Sequence, residues 1–534
     1  MNRIVVVGSG VSGAHAALTL LERGHDVELW DVGREEKAFP EPGATFHELK
    51  DRLADPVAYF LGADLGALVP PTSPELLRYP PAREFMTSRV DELWNFASDG
   101  FSPQASLAKG GLANGWGANA LSFDDDDLAQ WPLSFSDMET AYKTVYERIP
   151  VAGPDGDDLA PHLRGVYPSQ PPVRLSASDD RLLKTYERRK HALGKLGVKI
   201  GRARLAVVTD PSRTDACDYS GRCLWGCPNG SIYNPRLSTL KQCEAHPGFR
   251  YLQGRVVLAL RSSDNRIDRI RYLDSVTREI REEPCGAVFL AAGALQTGAI
   301  FLRTLRDSGV NSECRSEGLM DKTVVRIPFV ALRSLGQGPD PRSFQFNRLI
   351  AAVIGESAPW PSYLHTELLH LTDLIYHPLI ERMPLDSRNS AKLFFAIRHA
   401  IGAATLFFPD RITAGNHQVL AEAEGNPETV VLRYRDSEDK ERFIRQSVAR
   451  MRSALHRLGC ITRGVVRSEP GAGIHYAGTV PMGTGPRRCD ATGRSNRFSN
   501  LYIADGAAFP SLPSKPITMS LAAHATRVAR LAAL

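Results

Sequence analysis

Cysteine, tryptophan and methionine are scarce in this chain, with eight, six and eight copies among 534 residues. Eight scattered thiols cannot make a disulfide framework over such a length, so a reducing, cytoplasmic compartment is expected. Charge of one sign is also lacking. Sixty-five Lys and Arg against 60 Asp and Glu leave a formal net charge of +5, too balanced to call for nucleic acid as a partner. Long apolar runs are missing as well. "RIVVVGSGVSG" enters a glycine-rich turn with no cleavage site, and reads as a buried strand and not a signal peptide. "LFFAIRHAIGAATLFF" is interrupted by Arg398 and His399 and is too short to span a bilayer, so it reads as a core or interface helix and no transmembrane segment is expected.

What remains is an ordinary globular composition, 43% hydrophobic and 23% charged, in a chain long enough for two or more domains. Its first motif is a dinucleotide fingerprint. The β-branched run from Arg3 to Val7 is followed by Gly8, Gly10 and Gly13 in GxGxxG spacing, and then by the helix-like "AHAALTLLERG". Such glycines permit a tight turn, close approach of backbone to a pyrophosphate, and close helix-to-strand packing. "HDVELWD" reads as the second strand, ending in Asp31, whose carboxylate would accept hydrogen bonds from a ribose hydroxyl. The motif alone does not choose between FAD and NAD. Further along, Gly110, Gly111, Gly115 and Gly117 crowd a second loop that would run against something flat or charged. The acidic run Asp124 to Asp127 reads either as a solvated turn or helix start, or as an attractor for a cationic substrate.

Several stretches resemble the glucose-methanol-choline (GMC) oxidoreductases. "GGLANGWGANAL" with "WPLSFSDMETAY" is similar to the flavin-contacting segment of that family, and "FRYLQGRVVLAL" to its adenine-contacting strand, near Val256. "AVFLAAGALQTGAIFLRT" resembles the second signature, around Ala292, Gly293, Ala294 and Thr297, with Gly298 where the family has Pro or Ser. "GLMDK" resembles an element that ends in His, here Lys322, and "NLYIADGAAFP" resembles the last cofactor strand, with Asp505 and Gly506 beside the cofactor. The resemblance implies FAD held by Gly8, Gly10, Gly13, Asp31, Gly111, Asn114, Gly115, Val256, Ala292, Gly293, Asp505 and Gly506. It implies an α/β fold, a discontinuous Rossmann-like FAD-binding domain with an inserted substrate-binding cap. The FAD domain would take residues 1–35, 100–150, 201–330 and 465–534, and the cap 36–99, 151–200 and 331–464. Residues 331–464 carry no recognisable motif.

"GIHYAGTVPMGTG" resembles the family block that carries the catalytic base, which maps onto His475. Alcohol oxidation needs the hydroxyl proton removed as hydride leaves carbon, and a neutral imidazole within reach can take it. Lys515 stands where the family has Asn before Pro, or a second His. Pointing inward, its ammonium would stabilise a developing alkoxide or keep His475 neutral by repulsion. With the alignment shifted by one residue, Ser514 would face the substrate instead. His524 reads as a packing or surface residue.

Cys217, Cys223 and Cys227 follow a C-x5-C-x3-C pattern with Pro228 next. An iron–sulfur cluster, a zinc site short of its fourth ligand, a disulfide with one thiol left over, and unliganded thiols are four readings of it. The spacing resembles the loop of FAD-dependent sugar dehydrogenases of the same family, which implies a three-iron four-sulfur cluster and an electron-accepting partner protein. The expected activity is FAD-dependent oxidation of an alcohol on a carbohydrate-like small molecule, an aminoglycoside or other amino-sugar precursor among the candidates. An oxygen-using oxidase with a silent cysteine loop is the alternative among enzymes. A flavin-binding electron carrier or partner subunit without alcohol oxidation is the alternative of another class.

Overall fold

The computed structural model describes residues 3–35, 43–66, 79–87, 90, 93, 96–309, 314–338, 340, 342–355, 359–371, 380, 383–421 and 429–534. It is an α/β protein organised around two principal sheets. The first is a five-stranded parallel sheet. At its centre β1, Ile4–Val7, lies between β2, Val27–Trp30, and the strand Ala287–Leu290, with Phe249–Leu252 and Leu501–Ile503 at the edges. All four β1 residues are buried, as expected of a parallel strand covered on both faces. The helix α1, Val11–Glu22, crosses from β1 to β2 and is buried along nearly its whole length. The C-terminal helix Thr518–Leu531 packs on the α1 side, and the guanidinium of Arg23 donates to the carbonyls of Ala529 and Ala532.

The second sheet is antiparallel. Its order runs from Cys460–Thr462 through Thr323–Ala331, Ile401–Phe408, Tyr363–His370 and Leu349–Ile354 to Val198–Arg202. One face is covered by the helices Ala177–Gly194 and Glu438–Arg457, whose Leu182, Tyr186, Phe443 and Met451 share a core with Ile327, Leu364 and Leu406. The unassigned stretch 331–464 therefore supplies most of a sheet. That sheet also takes in Thr323–Ala331 and Val198–Arg202, which straddle the sequence-drawn boundaries near 330 and 200.

One expectation is corrected outright. The apolar stretch read as a single helix divides into a helix, Ser387–Ile397, a short turn, Arg398–Ala400, and the strand Ile401–Phe408. Ladder bonds to Thr323–Ala331 and Tyr363–His370 on its two sides outweigh any local helical preference. No helix among the described residues is long and apolar enough to cross a membrane.

Candidate active site

The glycine fingerprint forms a cradle at the end of β1. Gly8 holds φ +100°, and a Cβ there would lie 2.5 Å from the Ala291 carbonyl oxygen and 2.9 Å from the Ala292 Cα. At Gly13 a Cβ would collide with the Gly8 carbonyl, so only glycine lets α1 pack this closely on the turn. Gly10 precedes α1 with no side-chain cap, and space is open around it, which leaves the helix N-terminus free to meet an anion. The second glycine loop abuts the first, since a Cβ at Gly111 would sit 3.3 Å from Gly10 Cα, and Gly110 N donates to Ser9 Oγ at 2.9 Å. Asp31 is the acid at the end of β2. Burial pushes its pKa up to about 6, and it accepts from Ser9 Oγ and from Tyr251 Oη.

These residues fit a dinucleotide: an uncapped helix N-terminus, two glycine loops against one another, and an acid where a ribose hydroxyl would be held. Other residues named from the sequence serve the frame around it. Asn114 is buried and clamps its own loop, donating to the carbonyls of Lys109 and Gly111 and accepting from Asn234. Gly115 lies against Tyr79 and Met86. Val256 is a core residue on the strand that begins at Arg255, whose N–H reaches the Asp31 carbonyl at 2.9 Å. Asp505 accepts from the N–H of Gly293 and the hydroxyl of Thr297, and so caps the helix Ala294–Asp307. Gly506 accepts from Gly478 N at 3.0 Å, which ties the cradle to the strand just after His475.

His475 sits where the two sheets meet. Met320–Asp321 pairs antiparallel with Tyr476–Ala477, so Lys322 and His475 face one another across the ladder, with Lys322 N 3.4 Å from His475 O. The approach to His475 is tight. A Cβ at Gly473 would collide with the Lys322 carbonyl, and Ile474 is held at φ +59°, a strained conformation for a β-branched residue. Burial, and next the charge of Lys322, push the imidazole of His475 down to about 3, so it is neutral at ordinary pH. Its Nδ1 is covered yet has no hydrogen-bond partner among the described residues.

Sequence reasoning missed the residues around it. The strand Tyr363–His370 presents His365 and Glu367 on one face, two residues apart. In the sheet register Glu367 lies opposite Thr405, which lies opposite Arg326, and the strand that carries Thr405 brings Phe407 to the same region. The Phe407 ring is 5.9 Å from that of His475 and 5.8 Å from that of His365. His365 is wholly buried, its Nε2 is unpartnered among the described residues, and burial followed by the Lys322 charge pushes it down to about 3. Burial lifts Glu367 to about 7 and drops Lys322 to about 7. The one sequence signal was the "DK" ending, where a lysine replaces the histidine of the resembled element.

Lys515 is not the cation beside the base. It is fully buried, its Nζ lies 2.6 Å from Asp124 Oδ2 and 2.7 Å from Asp127 Oδ2, and it rests over the Tyr363 ring. Only its carbonyl turns toward the site, accepting from Lys322 Nζ. The neighbouring Ser514 Oγ is also engaged, accepting from His365 N and donating to the Tyr363 carbonyl. The acidic run lies at a turn with Asp125 and Asp126 exposed, which agrees with the solvated-turn reading and corrects the attractor reading. Asp124 and Asp127 hold Lys515, Asp125 accepts from Phe135 N and pairs with Arg164, and Asp126 accepts from Ser362. The four carboxylates are engaged within the protein and do not form an attractor. His524 is a packing residue, wholly buried, with Nε2 at 3.0 Å from the Ile503 carbonyl.

Cys217, Cys223 and Cys227 do come together, near enough that each thiolate would raise a neighbour's pKa. Burial comes first among the causes, pushing Cys217 up to about 12 and the other two upward as well. The N–H of Gln345 points at Cys223 Sγ and that of Ile232 at Cys227 Sγ. The thiols are free, and no group of three His, Cys, Asp or Glu among the described residues is arranged to hold a metal ion. On this arrangement the cluster expected from the spacing is not supported.

Comparison with known proteins places this geometry. Residues 418–525 match the family model for GMC oxidoreductases, a span that includes His475, Asp505 and Lys515. The chain is 24% identical over 560 residues to 6'''-hydroxyparomomycin C oxidase of Streptomyces lividus, covering 99% of this chain and 90% of the relative. It is 22% identical over 552 residues to paromamine 6'-oxidase of Streptomyces fradiae, covering 99% and 91%. Among solved structures, pyridoxine 4-oxidase from Mesorbium loti superposes with a TM-score of 0.60 at 15% identity, covering 99% of both chains. An FAD-dependent oxidoreductase from Chaetomium thermophilum gives 0.62 at 13%, covering 99% and 98%. The fold is that of these two solved structures, and the chain is an enzyme of the oxidoreductase class.

Proposed function

We propose that this enzyme oxidises an alcohol carbon of a carbohydrate-like substrate, with His475 as the base and FAD as the cofactor. The observation that carries the reading is the His475 imidazole, neutral and with an unpartnered nitrogen, on a strand tied directly to the dinucleotide cradle. Gly8, Gly10, Gly13, Asp31 and Gly111 would hold the cofactor, helped by the frame of Gly293, Asp505 and Gly506. When bound, FAD supplies the hydride acceptor. The protein's part is to hold the alcohol against His475, take its hydroxyl proton there, and exclude water. Lys322, opposite the base, disfavours a positive charge there and so keeps the resting imidazole neutral, with its nitrogen lone pair unprotonated.

The two relatives named for aminoglycoside oxidation support an amino-sugar alcohol as the substrate. Anaerobic mixing with paromamine tests this directly. Bleaching of the flavin band is expected, and no bleaching with paromamine or any other amino-sugar alcohol would refute it. As the final electron acceptor, oxygen is favoured by two relatives named as oxidases. Stoichiometric peroxide under air is then expected. Turnover that needs an artificial dye would return the role to a partner protein.

A further inference from the structure

Among the residues facing His475, Glu367 stands out by its exposure and its partners. His365 and Lys322 are sealed, whereas 24% of the Glu367 side chain remains accessible, as part of a face with the partly accessible Arg326 and Phe407. Its Oε1 accepts from Asn119 Nδ2 at 2.7 Å and lies 4.0 Å from His365 Nε2. Asn119 is fixed in turn by exchanging amide hydrogen bonds with Asn347, at 3.2 and 3.0 Å. No hydrogen bond among the described residues reaches Oε2. The carboxylate is thus held by one oxygen and open at the other. The two cations nearby are engaged elsewhere, Lys322 with the Lys515 carbonyl and Arg326 with Ser468 Oγ at 2.7 Å.

We infer that Glu367 is the specificity-determining residue of this site, its free oxygen accepting from the ammonium group of an amino-sugar alcohol whose carbinol is presented to His475. The inference rests on the alcohol-oxidation reading and names the group by which the substrate is recognised. A buried acid that is reluctant to ionise gains most from a cationic donor, whereas a hydroxyl would bind nearly as well to an amide. The groups facing Glu367 from neighbouring strands are Arg326, Lys322, His365 and His475, and both histidines are uncharged across the neutral range. The titration of the pocket near neutrality therefore belongs to Glu367 and Lys322, each at about 7.

The test is flavin reduction by paromamine across about pH 6 to about pH 8, in wild type and in Glu367→Gln, which keeps the acceptor for Asn119 and removes the charge. For wild type, KM should fall roughly tenfold as pH rises through that range and Glu367 ionises. In Glu367→Gln, KM should be at least roughly tenfold higher at the upper pH and should no longer fall as pH rises, Lys322 being the one of the two groups left to titrate there, with kcat within about threefold and bound-flavin absorbance unchanged. Unchanged KM and pH dependence in the variant would overturn the inference while leaving the alcohol reading standing. An equal rise in KM for methyl glucoside, which has no amine, would make Glu367 a hydroxyl acceptor and overturn the ammonium assignment. If wild-type flavin is not reduced by paromamine at all, the functional reading fails and the inference falls with it.

Discussion

Lys515 and Lys322 are both wholly buried, yet their surroundings are opposite. Two carboxylates clamp Lys515, and its pKa is raised against the pull of burial. Lys322 has a single carbonyl for its ammonium, no carboxylate in direct contact among the described residues, and a pKa pushed down to about 7. The first lysine is fully compensated and knits together segments 391 positions apart. The second is undercompensated beside two unpartnered imidazole nitrogens and a half-open carboxylate. Buried groups that leave their polar demands unmet mark functional sites more reliably than buried groups that satisfy them.

That contrast can be broken from either side. Replacing His475 with Ala should have the largest effect, slowing flavin reduction by about 10²–10⁴ with cofactor still bound, read by anaerobic stopped-flow. Lys515→Met comes next: two carboxylates lose their cation, and the protein should be destabilised by about 3–5 kcal/mol in denaturant unfolding. Lys322→Met should do the reverse. A lysine whose folded pKa lies below its unfolded value penalises folding fully below the folded pKa, and the penalty fades as pH climbs toward the unfolded value. The variant should gain on the order of 3 kcal/mol near pH 6 and less near pH 9. A loss of stability at both would mean that Lys322 is as well compensated as Lys515. The smallest effect is expected from Asn119→Ala, about 1–2 kcal/mol from the severed amide pair, together with a higher KM as Glu367 loses its anchor.

The cradle was legible in the sequence because its requirements are local. A positive φ at Gly8 and close packing at Gly13 can be met only by glycine, and the spacing of turn, helix and acid is covalent. His475 was named through resemblance, and its role as base is a proposal. The face proposed to meet substrate was not legible, for a physical reason: Glu367, Thr405 and Arg326 are neighbours only through strand register, across gaps of tens of residues, and no short motif encodes register. The same cause misled the reading of Ile401–Phe408, an apolar run whose partners on both sides are remote. Lys515 was misplaced because the acids that claim it lie nearly four hundred positions earlier. The three cysteines were a true cluster in space, where burial pushes each pKa up although amide N–H groups at Cys223 and Cys227 pull the other way.

The parallel sheet has one further consequence, for how the molecule is made. β1 lies between β2 and Ala287–Leu290, and the latter pairs on its far side with Leu501–Ile503, so the row is finished only by a segment remote from it in sequence. Until that strand emerges, Ala287–Leu290 offers an unpaired apolar edge, and α1 lacks the C-terminal helix that covers it. Pairing across so wide a sequence separation predicts slow folding, with that edge open meanwhile, and refolding kinetics would read it. Breaking the pairing of Leu501–Ile503, with a proline at Tyr502, should surface as insoluble protein before it surfaces as lost turnover.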